Sequence, residues 1–195
     1  MIKRLFDIIT ALIGIIILSP FLFIIALLVI IDSHGGILYR QVRVGKDMKE
    51  FKLFKFRTMF TDADKKGLLT VGMRDNRITK IGYSLRKYKL DELPQLFNVL
   101  IGSMSMVGPR PEVPKYVAMY NDEQKKVLSI KPGITDYASI VYANENEILA
   151  NAPNPEEVYI NKIMPSKLKL NLKYMDEMGL MTDLGIILRT IGKVF

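Results

Sequence analysis

Residues 8–31 read IITALIGIIILSPFLFIIALLVII, 24 positions without a charge, 20 of them apolar. A core helix of a water-soluble protein keeps a polar face, and this segment has none, so its expected solvent is a bilayer. As a straight helix it would extend ~36 Å, against a hydrocarbon core of ~30 Å. A cleaved signal peptide fits poorly: the apolar run exceeds the usual ~15 residues, and no A-x-A-like site follows. Two features argue against simple spanning. Ser19-Pro20 divides the run with eleven residues before it and eleven after it, and a proline removes a backbone donor and crowds the carbonyl of Ile16. Each half is then only ~17 Å long. Lys3 and Arg4 precede the segment while Arg40, Arg43 and Lys46 follow it, so the basic flanks set no orientation. A re-entrant helix-break-helix over residues 1–33, broken at Ser19 and Pro20, satisfies both facts, with Ser19 available to bond backbone at the break. A kinked spanning helix is the alternative.

Charge is distributed unevenly around this anchor. The chain of 195 residues carries 28 Lys and Arg against 20 Asp and Glu, a net +8. Lys3, Arg4, Asp7 and Asp32 cancel within residues 1–33, so the whole excess lies on residues 34–195. That balance suits a body that meets phosphates, acidic lipid or nucleic acid. The absence of cysteine excludes disulfides, thiolate metal sites and cysteine nucleophiles. His34, the single histidine, falls in the Asp32–Gly36 exit turn and reads as an interfacial residue.

Beyond the anchor the pattern predicts one compact α+β domain, mostly helical with a small β-hairpin. The hairpin runs from Ile37 to Phe60, with strands at Leu38–Val44 and Phe51–Met59 about a Gly45-Lys46-Asp47 turn. It carries seven basic and two acidic side chains, close to where anionic headgroups would lie. Asp62–Gly72 reads as a polar connection, and Arg74–Leu90 is basic again. Leu90, Leu93, Leu96, Phe97, Leu100 and Ile101 recur at helical spacing and predict one buried face. Lys131-Pro132-Gly133 reads as a tight turn, and Asn154-Pro155-Glu156-Glu157 as a helix start. A last helix from about Thr182 sets Leu184, Ile187, Leu188, Ile191 and Val194 against Arg189 and Lys193, for a place on the core or on the membrane surface.

The chemistry concentrates in Arg86-Lys87-Tyr88-Lys89-Leu90-Asp91-Glu92-Leu93-Pro94-Gln95-Leu96. Pro94 is tolerated only in a first turn, so Asp91 and Glu92 stand at or just before a helix N-terminus. A cap and a dipole partner are the plain structural reading of that pair. Two carboxylates pointing apart can also divide the work of phosphoryl transfer, one attacking phosphorus and the other holding Mg²⁺. Arg86 could neutralise a transferring phosphoryl group. Downstream, the prolines of Gly108-Pro109-Arg110-Pro111 fix the backbone around a second arginine, which lowers the entropy lost when it grips an anion.

Taken together, Lys55-Phe56-Arg57-Thr58-Met59, Leu90–Leu100, Val107-Gly108-Pro109-Arg110-Pro111 and Lys131-Pro132-Gly133-Ile134-Thr135 resemble, in order, the motifs of the bacterial sugar transferases. These are the monotopic phosphoglycosyl transferases that initiate surface glycan assembly. The resemblance covers nearly the whole chain and its small form, a catalytic unit without extra spanning helices. It implies that Asp91 is the nucleophile, attacking the β-phosphate of a UDP-sugar, releasing UMP and passing the sugar phosphate to undecaprenyl phosphate. It further implies that Glu92 works with Asp91 in catalysis and binds Mg²⁺. Arg86 and Arg110 would contact phosphate, with Lys55 and Arg57 as weaker candidates. The implied partners are UDP-sugar, undecaprenyl phosphate, inner-membrane lipid and a second copy of the chain, with no nucleic acid. The implied location is the cytoplasmic face of the bacterial inner membrane. Asp136-Tyr137-Ala138-Ser139 departs from the family's usual continuation after Thr135, in a region expected to influence sugar choice.

Two rival readings remain at this point. A membrane-tethered basic domain could bind acidic lipid or nucleic acid without catalysis, although an acidic pair at the end of its basic stretch would weaken polyanion binding. A metal-dependent transferase could instead let the lipid phosphate attack directly.

Overall fold

In a computed structural model, which describes residues 2–61, 63 and 75–194, the chain is mostly helical with two small sheets. The expected polar connection at 62–72 falls almost wholly outside the described residues. The helices are α1 (Ile2–Asp32), α2 (Lys80–Lys87), α3 (Gln95–Ile101), α4 (Pro114–Val117), α5 (Asp122–Lys125), α6 (Tyr137–Val141), α7 (Glu145–Ala150), α8 (Pro155–Val158), α9 (Met164–Asp176) and α10 (Leu180–Val194). The strands are β1 (Leu38–Val44), β2 (Glu50–Phe56), β3 (Ser105–Val107) and β4 (Gly133–Thr135).

The apolar segment forms one helix through Pro20, where the sequence pattern predicted two helices and a break. The reason is local. Pro20 leaves the carbonyl of Ile16 without its amide donor, and the Ser19 hydroxyl donates to that carbonyl at 2.9 Å. Helix α1 is long and apolar enough to cross a membrane. Yet one stripe of it, Asp7, Ala11, Gly14, Leu18, Leu22, Ile25 and Val29, is buried or half-buried along the whole length. That spacing of three and four is a single helix face. Ala11, Ile15 and Leu18 pack with Leu53, Leu96, Val99 and Met104. Leu22, Ile25, Ala26 and Val29 pack with Phe56, Leu85, Leu90 and Leu93. The other faces stay exposed and apolar, including Ile9, Ile13, Ile16, Phe23, Leu27 and Ile31.

Polar contacts tie both ends of α1 to the same body. At its start, the Lys3 ammonium pairs with the buried Asp183 at 2.5 Å. The buried Asp7 carboxylate accepts from the Ser105 hydroxyl at 2.9 Å and the Met106 N–H at 3.0 Å. Arg4 donates to the carbonyls of Val99 and Leu100 at the end of α3. At its far end, Asp32 accepts from the N–H of Ile81, at the first turn of α2, at 2.9 Å.

The predicted hairpin is present: β1 and β2 pair antiparallel from Leu38↔Phe56 to Val44↔Glu50. Asn98 of α3 closes the free edge of β2, its side-chain oxygen accepting from Phe54 N–H at 2.9 Å and its amide donating to the Lys52 carbonyl at 2.8 Å. Lys131-Pro132-Gly133 is more than a turn. Gly133 opens β4, which runs parallel to β3. A Cβ on Gly133 would lie 2.1 Å from the Gly108 nitrogen, and one on Gly108 would lie 2.5 Å from the Lys131 carbonyl oxygen. Glycine at both positions is what lets the Gly-Pro-Arg-Pro loop lie directly on β4.

One predicted face is corrected, and a second is decided between two alternatives. In α3, Phe97 and Ile101 are exposed, and the polar Gln95 and Asn98 are buried instead. In α10, Asp183 and Ile186 face inward while Leu184, Leu188 and Ile191 are exposed. The inward face follows polar contacts that no hydrophobic count reveals: Asp183 accepts from Tyr174 at 2.7 Å, and Thr190 bonds with Thr135 at 2.6 Å. The helix start at Asn154 is as predicted, its side chain accepting from Glu157 N–H with Pro155 in the first turn.

Candidate active site

The acidic pair lies on a 3₁₀ turn, Leu90–Glu92, wedged between α2 and α3. Lys89 enters that turn at φ 56°, a left-handed conformation that costs a side-chain-bearing residue ~1–2 kcal/mol. The reversal it produces returns the chain from α2, so that the Arg86 charge acts on Asp91. Leu90 and Leu93, on either side of the pair, anchor the turn in the cluster under the second half of α1. The two carboxylates are therefore held against the apolar helix by their own neighbours.

The pair is asymmetric. Glu92 is caged: Lys55 Nζ donates to its Oε1 at 2.8 Å, Arg110 Nη1 to its Oε2 at 3.2 Å, and Arg110 Nη2 also to Oε1. Burial alone would raise its pKa, but the charges and hydrogen bonds of Arg110 and Lys55 hold it well below the usual carboxylate range. Asp91, 8 % exposed, forms no ion pair or hydrogen bond among the described residues. Burial pushes its pKa up, opposed chiefly by the Lys55 charge. Arg86 is likewise uncommitted and feels Asp91 through space, burial drawing its own pKa down. The site thus holds one satisfied carboxylate, one open carboxylate and one open guanidinium.

Arg110 is positioned by a residue outside the predicted set. Asp136, fully buried, accepts from the Arg110 backbone N–H at 3.2 Å and from Ser139 N–H at 2.6 Å, capping α6. The one sequence signal for it was its departure from the resembled motif. Lys55 joins the site, but Arg57 does not. The Arg57 guanidinium donates to the carbonyls of Val29 and Ser33 and to the Ser33 hydroxyl, closing the far end of α1. Strand alternation would put Lys55 and Arg57, two residues apart, on one face, but β2 ends at Phe56 between them and the alternation stops there. Ser19 and Pro20 are exposed on α1.

No group of three His, Cys, Asp or Glu side chains converges on a metal position among the described residues. Glu92, with both oxygens already accepting from cations, does not fit the metal-ligand role expected of it. Asp91 does fit Mg²⁺, which is commonly held by one or two carboxylates together with substrate phosphates.

The family model described as "Bacterial sugar transferase" matches residues 1–195. The chain belongs to the bacterial sugar transferase family. Among its relatives are the UDP-N-acetylgalactosamine-undecaprenyl-phosphate N-acetylgalactosaminephosphotransferase of Aeromonas hydrophila, 33% identical over 99% of this chain and 43% of the relative. The UDP-glucose:undecaprenyl-phosphate glucose-1-phosphate transferase of Escherichia coli (strain K12) is 35% identical over 100% of this chain and 40% of the relative. A third, from Bacillus subtilis (strain 168), is named "Uncharacterized sugar transferase EpsL"; it is 35% identical over 98% of this chain and 86% of its own length. The chain thus spans less than half of the first two relatives. In this bacterial sugar transferase the open Asp91, the caged Glu92 and Arg86 share one turn beside the apolar helix.

Proposed function

We propose that this chain moves a sugar 1-phosphate from a UDP-sugar to undecaprenyl phosphate and releases UMP, as a first membrane step of surface glycan assembly. The observation that carries the reading is the asymmetry of the pair. A carboxylate freed of every cation partner, beside an uncommitted arginine, is arranged to attack an anion rather than to cap a helix.

In the first step an Asp91 oxygen attacks the β-phosphorus. The bond from that phosphorus to the oxygen bridging the α-phosphate breaks, and UMP leaves with the electron pair. A phosphosugar-aspartyl intermediate, a mixed carboxylic–phosphoric anhydride, remains. In the second step an oxygen of the lipid phosphate attacks the same phosphorus and the Asp91 carboxylate leaves, so the enzyme returns unchanged. Arg86 faces the transferring group and lowers the cost of its developing charge. Glu92 holds Arg110 and Lys55 in place, which keeps two cations at the phosphate position without a rearrangement at the moment of reaction. Mg²⁺ at Asp91 would supply further neutralisation of the diphosphate.

The topology we propose is monotopic, with α1 bending at Pro20 without interruption of the helix, so that both its ends stay at the cytoplasmic leaflet of the inner membrane. A spanning helix ~46 Å long separates its ends across the bilayer. Here Lys3 and Asp7 at one end and Asp32 at the other bond the same body, which supports a one-sided path. Exposed Leu184, Leu188 and Ile191 on α10 extend the lipid-facing surface beside Lys3.

The test is rapid quenching of the purified protein with UDP-sugar labelled in the sugar and with no lipid present. Label is expected on Asp91, to be chased by undecaprenyl phosphate and lost in Asp91→Asn. An active enzyme that never carries label would rule out the covalent route.

A further inference from the structure

At the opposite end of α3 from the acidic turn, two cations crowd together. Gly102 ends the helix at φ 89°. The place a Cβ would take on it lies 3.2 Å from Arg4 Nη2 and 3.5 Å from Lys131 Nζ, so one phosphate group can touch both nitrogens. Arg4 is already fastened, its guanidinium donating to the carbonyls of Val99 and Leu100. Lys131, half-buried, makes no ion pair or hydrogen bond among the described residues. Burial draws its pKa down, and the charges of Arg4 and the exposed Lys46 draw it further. The Asp7 charge opposes them, but that carboxylate is turned to Ser105 and Met106.

A lysine beside a helix C-terminus ordinarily serves the last carbonyls. Here Arg4 does so, and Lys131 adds a like charge that costs stability until an anion joins it. The surroundings are those of a bilayer surface. Leu5, next to Arg4, is 60% exposed, and Ile101, next to the Leu100 carbonyl that Arg4 bonds, is 67% exposed. Phe97, one turn back on α3, is exposed as well. Reachable cations bordered by exposed apolar side chains match the depth at which lipid tails give way to headgroup phosphates. The transfer site is elsewhere: the length of α3, ~10 Å, separates this pair from the turn that carries Asp91.

We propose that Arg4 and Lys131 bind the phosphodiester of an anionic phospholipid, a resident lipid distinct from the acceptor, at the junction of α1 with α3. The site rests on the membrane placement of α1 proposed above. A bound headgroup supplies the counter-charge that the pair lacks and fixes this junction at the membrane surface.

The experiment follows thermal unfolding of the full chain in neutral detergent while dioctanoyl phosphatidylglycerol is added, with dioctanoyl phosphatidylcholine and inorganic phosphate in parallel. Phosphatidylglycerol should raise Tm in a saturating manner. In Lys131→Gln the half-saturating concentration should rise at least roughly fivefold, and Lys131→Arg should respond as wild type does. Without lipid, Lys131→Gln should melt at the wild-type temperature or above it, because no bond is lost and the repulsion with Arg4 is relieved. Earlier melting there would make Lys131 a structural partner of α3 and overturn the site. An unchanged half-saturation in Lys131→Gln, or an equal response to phosphatidylcholine, would overturn it too. An equal Lys131-dependent response to inorganic phosphate would overturn the lipid as its source. Flotation with neutral vesicles separates the two readings. A chain that fails to float overturns the membrane placement and this site together, whereas one that floats without a Lys131-dependent response overturns the site alone.

Discussion

Lys55 from strand β2 and Arg110 from the Gly-Pro-Arg-Pro loop reach the same oxygen, Oε1 of Glu92. Neither reaches Asp91, although it is the adjacent residue. Glu92→Gln therefore leaves two cations without their counter-charge and should lower both thermal stability and turnover. Arg110→Lys cannot reproduce the two-pronged contact. In a double-mutant cycle, Glu92→Gln with Arg110→Ala should cost less than the sum of the single changes, by about 1 kcal/mol, since Arg110 is one-third exposed. Strict additivity in denaturant unfolding would contradict the contact.

The pH dependence follows from the asymmetry. Asp91 must be ionised to attack, and burial raises its pKa. The acid limb of kcat/KM should lie above that of an ordinary carboxylate, ~3.9. Lys55→Met removes the charge that most opposes this shift, so the limb should move to still higher pH. Stability behaves in the opposite sense at Glu92, whose folded pKa is depressed. Its contribution is present above its unfolded value, ~4.3, and is lost as pH falls through the folded one. The destabilisation in Glu92→Gln should fade in acid.

Asp136→Ala removes the acceptor of the Arg110 N–H and the cap of α6, and should cost ~1–2 kcal/mol. Asp136→Asn keeps an acceptor oxygen and should restore most of the stability. If positioning Arg110 matters for the reaction, Asp136→Ala will also lower kcat at temperatures well below its melting point. A kcat unchanged there would reduce Asp136 to a cap.

Because the chain has no cysteine, single cysteines report topology cleanly. Ile2→Cys and His34→Cys, both at exposed positions, should react with a membrane-impermeant maleimide from the same side of sealed vesicles. Modification from opposite sides would establish a spanning helix.

Much of this arrangement was legible beforehand because it rests on local rules. The greasy segment, the hairpin and the acidic turn before Pro94 each follow from periodicity or backbone chemistry within a dozen residues. The misses share a different origin. Asn98 on the edge of β2, Asp136 under Arg110 and the parallel pairing of β3 with β4 join residues far apart in sequence, and no window of sequence contains both partners. The resemblance implies Arg57 only as a weaker phosphate contact beside Lys55, and the end of β2 between them sends its guanidinium to the carbonyls closing α1. The choice between core and surface for the apolar face of α10 was not legible because its inward face is built on Asp183 and Thr190, polar residues that a hydrophobic count assigns to solvent.

The pairing of Lys3 with Asp183 joins positions 180 residues apart. At a synthesis rate of ~5–20 residues per second, the lysine must wait roughly 9–36 s for its partner to leave the ribosome. The greasy helix is thus committed to lipid before its clamp exists, and the catalytic body has to assemble onto an anchor already in place. Maturation of this enzyme would then run from the bilayer outward, with the last helix acting as the latch.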